Sequence, residues 1–333
     1  MKPVVDDPTS LAPHRLANYL TPLKAKLDSA HLTQIDWSEQ VRDVKSRRGA
    51  FKNVIPVDKD TSKSLSPESI EYKYLFPVAE LLKQINQNQK CLVRVGDAYN
   101  PLQVPTLVKA RLIADPGLCV TAPLNHRRHF GLMRPTLEVD IPWHKKKNKL
   151  LWRGAATGPL RGIPERNFQS RAYIVDVARR KKETSLINVG FTKLLNNPIS
   201  SLNEVKELHV RHMSIKEQLQ YKYLLSLEGN DVASGLKWMM ISNSCVLMPV
   251  PAIESWFCES LLKPWEHFIP VDPNLGDLEE KLEFCIKNED VAMAVAQQGK
   301  DFAMQFINQQ VERELFCSVM TWYCERAFVS NFL

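Results

Sequence analysis

The sequence predicts an α/β chain built around a parallel sheet with helices on both faces. Three observations predict it. The second half alternates strand-like and helix-like runs, the order that βαβ crossovers impose on a parallel sheet. Apolar residues make up 44% of the chain, enough to bury a sizeable core. At 333 residues the chain is long for one domain and comfortable for two.

Residues 1–60 are polar and proline-punctuated, with short helical patterns such as LTPLKAKLDSAHL. KDTSKSLSPES (59–69) reads as a loop ending in a helix cap: Ser66, Glu68 and Ser69 precede the amphipathic YLFPVAELLKQINQNQ, a predicted helix. The apolar run CLVRV stops at Gly96 and Asp97, as a strand running into a loop does. LVKARLIA (107–114) and LCVTAP (118–123) predict further short strands. LLW (150–152) opens a glycine turn, RNFQSRAYIVDVARR predicts a helix and SLINVGFT (185–192) a strand. SIKEQLQYKYL (214–224) predicts a helix leading into the strand YLLSLEG. After GNDVASG come the helical LKWMMISNS, the strand CVLMPV, the helical ESWFCESLL and the strand HFIPV. From 277 onward the pattern is helical.

The formal net charge is +7, densest at 126–128, 144–149 and 179–182, which favours an anionic partner: nucleotide, nucleic acid or lipid head group. No run approaches the roughly 18 apolar residues of a membrane span. MKPVVDDPTS lacks the pattern of a signal peptide, and FVSNFL carries no retention tetrapeptide or prenylation box. Seven cysteines, odd in number and without C-x-x-C, predict buried free thiols in a reducing cytoplasm.

Three places hold candidate chemistry, and two more have the look of metal sites. KKKNKLLWRGAATGPLRG (145–162) sets Arg153 and Arg161 on either side of a glycine-rich turn. Free backbone N–H groups and a guanidinium fork there suit a phosphate, although a solvated basic loop uses the same residues, and the Walker spacing is absent. In LEGNDVASGLKW (227–238) a strand ends at Gly229, and Asn230 or Asp231 is placed to cap a helix starting near Val232. Ala233, Ser234 and Gly235 are small enough to admit a diphosphate, though an ordinary capped βα turn looks the same. Asp97, just past a strand, is either a general base or a surface loop carboxylate. Asp58-x-Asp60 has the form of a divalent-metal site, against which Lys59 and the serines after it suit a solvated loop. His126 and His129 in HRRH lack a third ligand and read as a basic rim.

At these residues the chain resembles glycosyltransferase family 90, the CAP10-like group of secretory-pathway protein O-glucosyltransferases and bacterial lipopolysaccharide-core glycosyltransferases. The matching pieces are PWHKKKNKLLWRGAATGPLR, QYKYLLSLEGNDVASGLKW and LLKPWEHFIPVDPNLGDLEEKLEFCIKNEDVA, with RVGDAYNPLQVP looser; together they span roughly 90–310. EGNDVAS-x-LKW is similar to the bacterial branch. The resemblance implies a GT-B fold, two Rossmann-like domains facing a central cleft. Here these would be 1–148 on the acceptor side and 149–304 for the nucleotide sugar, with a C-terminal helix over 305–333 packing back on the first.

The resemblance also implies inverting, metal-independent transfer of a hexose from a nucleotide sugar, UDP-linked, to a lipopolysaccharide-core or related glycan. The setting would be cytoplasmic, at the anionic inner membrane face, with no cofactor and no nucleic acid. It places the base on Asp97 and donor contacts on Arg161 and on Asn230, Asp231, Val232, Ala233, Ser234 and Gly235, with Gly154 and Thr157 beside them. Secretory members carry an arginine where this chain has Gly235, so Lys222, Lys237 or the helix N-terminus alone takes its place; Glu228 and Arg153, the latter either a site residue or a structural one beside Trp152, complete the set. Two other readings stand: a metal-dependent sugar transferase using Asp58 and Asp60, and a non-catalytic basic binder of nucleic acid or membrane surface. Against nucleic acid, aromatic and basic residues do not alternate as in a single-strand binder.

Overall fold

The computed structural model describes residues 11–29, 35–36, 53–160, 170–180 and 186–328. The chain divides into two compact units, one of residues 1–126, 253–258 and 308–333 and one of residues 127–252 and 259–307. The division falls after His126 rather than at 148, and 253–258 belongs to the first unit.

In the first unit, four strands lie in the order Val54–Val57, Cys91–Arg94, Leu102–Val108, Gly117–Thr121. The first pair is antiparallel and the others are parallel. Cys91–Arg94 is buried at every position, which suits its apolar residues, and the buried Arg94 donates to the Asn100 (2.6 Å) and Ala110 (3.0 Å) carbonyls. Helix Tyr72–Gln84 buries Tyr74, Leu75, Val78, Leu81 and Leu82, spaced to fall on one face. Its first N–H, on Tyr72, donates to Ser69 Oγ (3.1 Å). The helix stops at Gln84, short of the pattern's end at 89, and Asn86 just beyond takes a left-handed φ of 54°. Helices Ala12–Ser29 and Gln309–Arg326 belong to the same unit.

The expected helix over 254–262 is not there. Ile253–Ser255 is a strand, antiparallel to Ala110–Leu112, and only Glu259–Leu261 forms a helical turn. The buried Arg111 Nε donates to Glu254 Oε1 (2.8 Å), so the strand pairing also pairs two internal charges.

The second unit carries an all-parallel five-stranded sheet, ordered Ile269–Pro270, Cys245–Met248, Tyr221–Leu225, Lys147–Ala155, Ile187–Lys193. Trp152 meets Phe191 edge-on (5.2 Å, 83°) within a core that includes Ile174, Val177, Tyr223 and Leu247. The helix predicted over 214–224 is only Ile215–Gln218; the apolar YKYLL that follows is the fully buried central strand. Helices Leu278–Lys287 and Glu289–Met304 match the helical pattern after 277. All seven cysteines are free, six of them buried. No helix among the described residues is long and apolar enough to cross a membrane.

Candidate active site

Across the second unit's sheet the strands run second, first, third, fourth, fifth in chain order. Connections therefore leave the first and third strands in opposite directions, and such a switch point opens a crevice at the carboxyl ends of the strands. The strands there are Lys147–Ala155 and Tyr221–Leu225. The two glycine turns read from the sequence are the segments that follow them.

The turns touch. Gly158 has φ +97°, and a Cβ there would lie 2.8 Å from the carbonyl oxygen of Gly229. The Gly158 N–H donates to Asn230 Oδ1 (3.1 Å). Asn230 thus ties the turns together instead of capping a helix. The helix after it starts at Leu236, not near Val232, and has five residues with Gly235 at its N-cap. A helix that short adds little macrodipole. Val232, Ala233 and Asp231 are buried, while Ser234 and Gly235 are partly exposed.

Arg171 lies behind both turns. Its Nη1 donates to the Ala155 carbonyl and to Thr157 Oγ1, its Nε to the Glu228 carbonyl and its Nη2 to the Leu227 carbonyl, all at 2.9 Å. The guanidinium also lies 6.0 Å from the Trp152 ring. Burial pushes its pKa down to about 10; Asp231 and Glu228 pull the other way, and Arg128 adds to the depression. It keeps its charge at neutral pH. The preceding Ser170 donates to the carbonyls of Pro159 (2.7 Å) and Leu160 (3.1 Å), pinning the far side of the first turn.

Arg161 falls outside the described residues. Gly154 is a strand residue rather than part of the turn, and a Cβ there would lie 2.6 Å from the Trp152 ring. Packing on Trp152 therefore demands the glycine. Arg153 points to the opposite face, where it donates to Asn188 Oδ1 (2.7 Å) and the Asn188 carbonyl (3.0 Å). Both proposed replacement cations are already paired with carboxylates. Lys222, near the amino end of its strand, pairs with Glu289 (2.6 Å), and the fully buried Lys237 pairs with Glu259 (2.5 Å). Glu228 Oε1 accepts from the Ala252 N–H (3.1 Å).

Asp97 belongs to the first unit, just past strand Cys91–Arg94 and after Gly96 with φ +96°. Its Oδ1 pairs with Lys109 Nζ. The lysine side chain is 2% exposed and the aspartate side chain 24%, so one carboxylate edge is held from inside. Asp58 Oδ1 accepts from the N–H groups of Asp60 (3.0 Å) and Thr61 (2.9 Å), which fixes the turn there. Asp60 pairs with Lys63 (2.7 Å) in solvent. His129 is buried within helix His126–Phe130. Among the described residues no three His, Cys, Asp or Glu side chains gather as a metal-ligand set.

Sequence reasoning missed Lys109 and Arg171. A lone lysine in the apolar LVKARLIA signals a buried partner, since burying an unpaired ammonium is prohibitive. Arg171 carries no comparable local signal.

The model of the family described as Glycosyl transferase family 90 matches residues 132–328, more than half of the chain. The chain belongs to glycosyl transferase family 90. It is therefore a glycosyltransferase. The family-90 match contains both turns and Arg171, and Asp97 lies before it. O-glucosyltransferase LpsA of Dichelobacter nodosus is 32% identical over 258 residues, 77% of this chain and 74% of that protein. O-glucosyltransferase rumi of Drosophila pseudoobscura pseudoobscura is 28% identical over 194 residues, 56% of this chain and 44% of that protein. Protein O-glucosyltransferase 1 of Homo sapiens is 27% identical over 164 residues, 48% of this chain and 38% of that protein. The chain thus matches less than half the length of these animal relatives. The crystal structure of TarM aligns with 54% of this chain and 36% of that one at a TM-score of 0.40 and 10% identity, too distant to bear on how the units are arranged.

Proposed function

We propose that the chain transfers a hexose, glucose by analogy with the names of its relatives, from a UDP-linked sugar to a lipopolysaccharide-core or related glycan acceptor, with inversion at the anomeric carbon. The observation that carries the donor half is the pair of interlocked turns at the switch point of the parallel sheet. Backbone N–H groups of 230–235 and the guanidinium of Arg161 would stabilise the departing diphosphate without a metal. Thr157 lies among these groups, and Gly154 admits the Trp152 packing that sets the strand end.

Inversion needs one base that removes the acceptor hydroxyl proton as that oxygen attacks the anomeric carbon from the face opposite the leaving group. Asp97 supplies it. The Lys109 ammonium, paired with Oδ1, holds the carboxylate that would accept the proton. The acceptor is anionic and the enzyme works at the cytoplasmic membrane face, in keeping with the net charge of +7.

The test is a thermal-shift and calorimetry panel of nucleotide sugars on the full chain, with the anomer of the product read by NMR. UDP-glucose at 100 times its Kd should stabilise the fold by about 2.7 kcal/mol. Arg161→Ala should weaken UDP binding by roughly 1.5–3 kcal/mol. No response to any UDP-sugar, or a retained anomeric configuration, would sink the reading.

A further inference from the structure

The donor reading leaves Arg171 without a role, yet this side chain makes four hydrogen bonds to the two turns and the strand ends before them. A guanidinium has five N–H donors. Four are committed, two to the end of strand Lys147–Ala155 and its turn and two to carbonyls of the segment after strand Tyr221–Leu225. Ala155 and Thr157 lie on one side of the switch point, Leu227 and Glu228 on the other. The Ala155 carbonyl also accepts from the Thr157 N–H (2.9 Å), whereas the Leu227 and Glu228 carbonyls lie past the end of strand Tyr221–Leu225. Without Arg171 behind them, the Leu227 and Glu228 carbonyls would turn toward water or toward the crevice. A carbonyl oxygen aimed into the crevice would repel a diphosphate.

We propose that Arg171 is a positioning residue of the donor site: it ties the ends of both strands together, holding the Leu227 and Glu228 carbonyls away from the diphosphate and the two turns in one preformed arrangement. The inference rests on the donor-site reading above. Arg171 is not itself the phosphate ligand, because four of its donors are spent and its charge is shared with Asp231 and Glu228. The close glycine contact requires the coupling. Gly158 sits against the Gly229 carbonyl, and a Cβ at Gly229 would lie 2.8 Å from Thr157 Oγ1 and 3.0 Å from Arg171 Nη2. Neither turn can shift without the other. Lysine cannot replace this arrangement, since one ammonium cannot reach acceptors on two strands in the fork geometry.

The experiment compares wild type with Arg171→Lys by UDP calorimetry and by steady-state kinetics varying donor and acceptor separately, at a temperature where both proteins are fully folded. Arg171→Lys should weaken UDP binding at least tenfold and raise the donor KM in step, with the acceptor KM within twofold of wild type. A merely structural role would lower Tm and leave the donor KM of the folded enzyme unchanged, and that result would overturn the proposal. Should Arg171→Lys fail to fold, peptide hydrogen exchange on the wild type decides. Segments 155–158 and 227–231 should open at a common rate and gain protection together on adding UDP; independent opening would overturn the coupling. Failure of the two readings is distinguishable. A wild type indifferent to every UDP-sugar sinks the donor reading, whereas a wild type that binds UDP beside an equally tight Arg171→Lys sinks only this one.

Discussion

Asp97 shows how one neighbour changes the meaning of a residue. From the sequence, Asp97→Asn is expected to keep or slightly raise stability, as loss of a functional carboxylate often does. Lys109 reverses that expectation, because its side chain is 2% exposed and its ammonium pairs with Asp97 Oδ1. Removing one partner of a fully buried pair costs about 3–5 kcal/mol. The cost here is smaller, since the Asp97 side chain is 24% exposed and water screens that edge. Asp97→Asn should therefore lower kcat by about 10²–10⁴ while UDP affinity holds. Differential scanning calorimetry should show a lower Tm. A folded Asp97→Asn protein turning over within a few-fold of wild type would remove Asp97 from the mechanism.

At the scale of elements, the glycines of the two turns differ in kind. Gly158 combines a φ of +97° with a backbone contact at 2.8 Å, which no L side chain accommodates. Gly235 has an ordinary φ of −74°, and a Cβ there would meet only the ends of Met239 and Trp238, at 3.1 and 3.3 Å. Gly158→Ala should cost on the order of 1–3 kcal/mol through backbone strain and displacement of the Gly229 segment, and should weaken UDP binding with it. Gly235→Ala should stay near wild type in both. Paired chemical denaturation and UDP titration of the two variants checks this. Equal effects would mean that contact between the turns is unimportant to the site.

On the scale of the whole molecule, the chain passes between its two units at 126, 252, 258 and 307, so neither unit is one continuous stretch. Tests of function therefore belong on the full chain. In the proposed mechanism, guanidinium and backbone N–H groups carry the diphosphate charge. EDTA treatment followed by assay in chelated buffer should then leave kcat within twofold. Loss of activity restored by manganese would favour the Asp58 and Asp60 reading, and those carboxylates would have to abandon the turn and the Lys63 pair that now hold them.

Family membership, the parallel sheet of the second half and the positions of both glycine turns are written locally, in alternating apolar runs and small residues at strand ends. They need only neighbours in the chain, so the sequence alone determined them. What each long cation does was decided by tertiary structure. Lys222 and Lys237 read as free charges near a phosphate turn until Glu289 and Glu259, distant in sequence, arrive beside them. Arg171 reads as a surface residue of a helix until the switch in strand order brings Ala155 and Leu227 within its reach. The strand Ile253–Ser255 reads as helix because its partner Ala110–Leu112 lies far earlier in the chain. A long side chain or an isolated strand is satisfied by whatever the topology delivers to it, and no local spacing records that delivery.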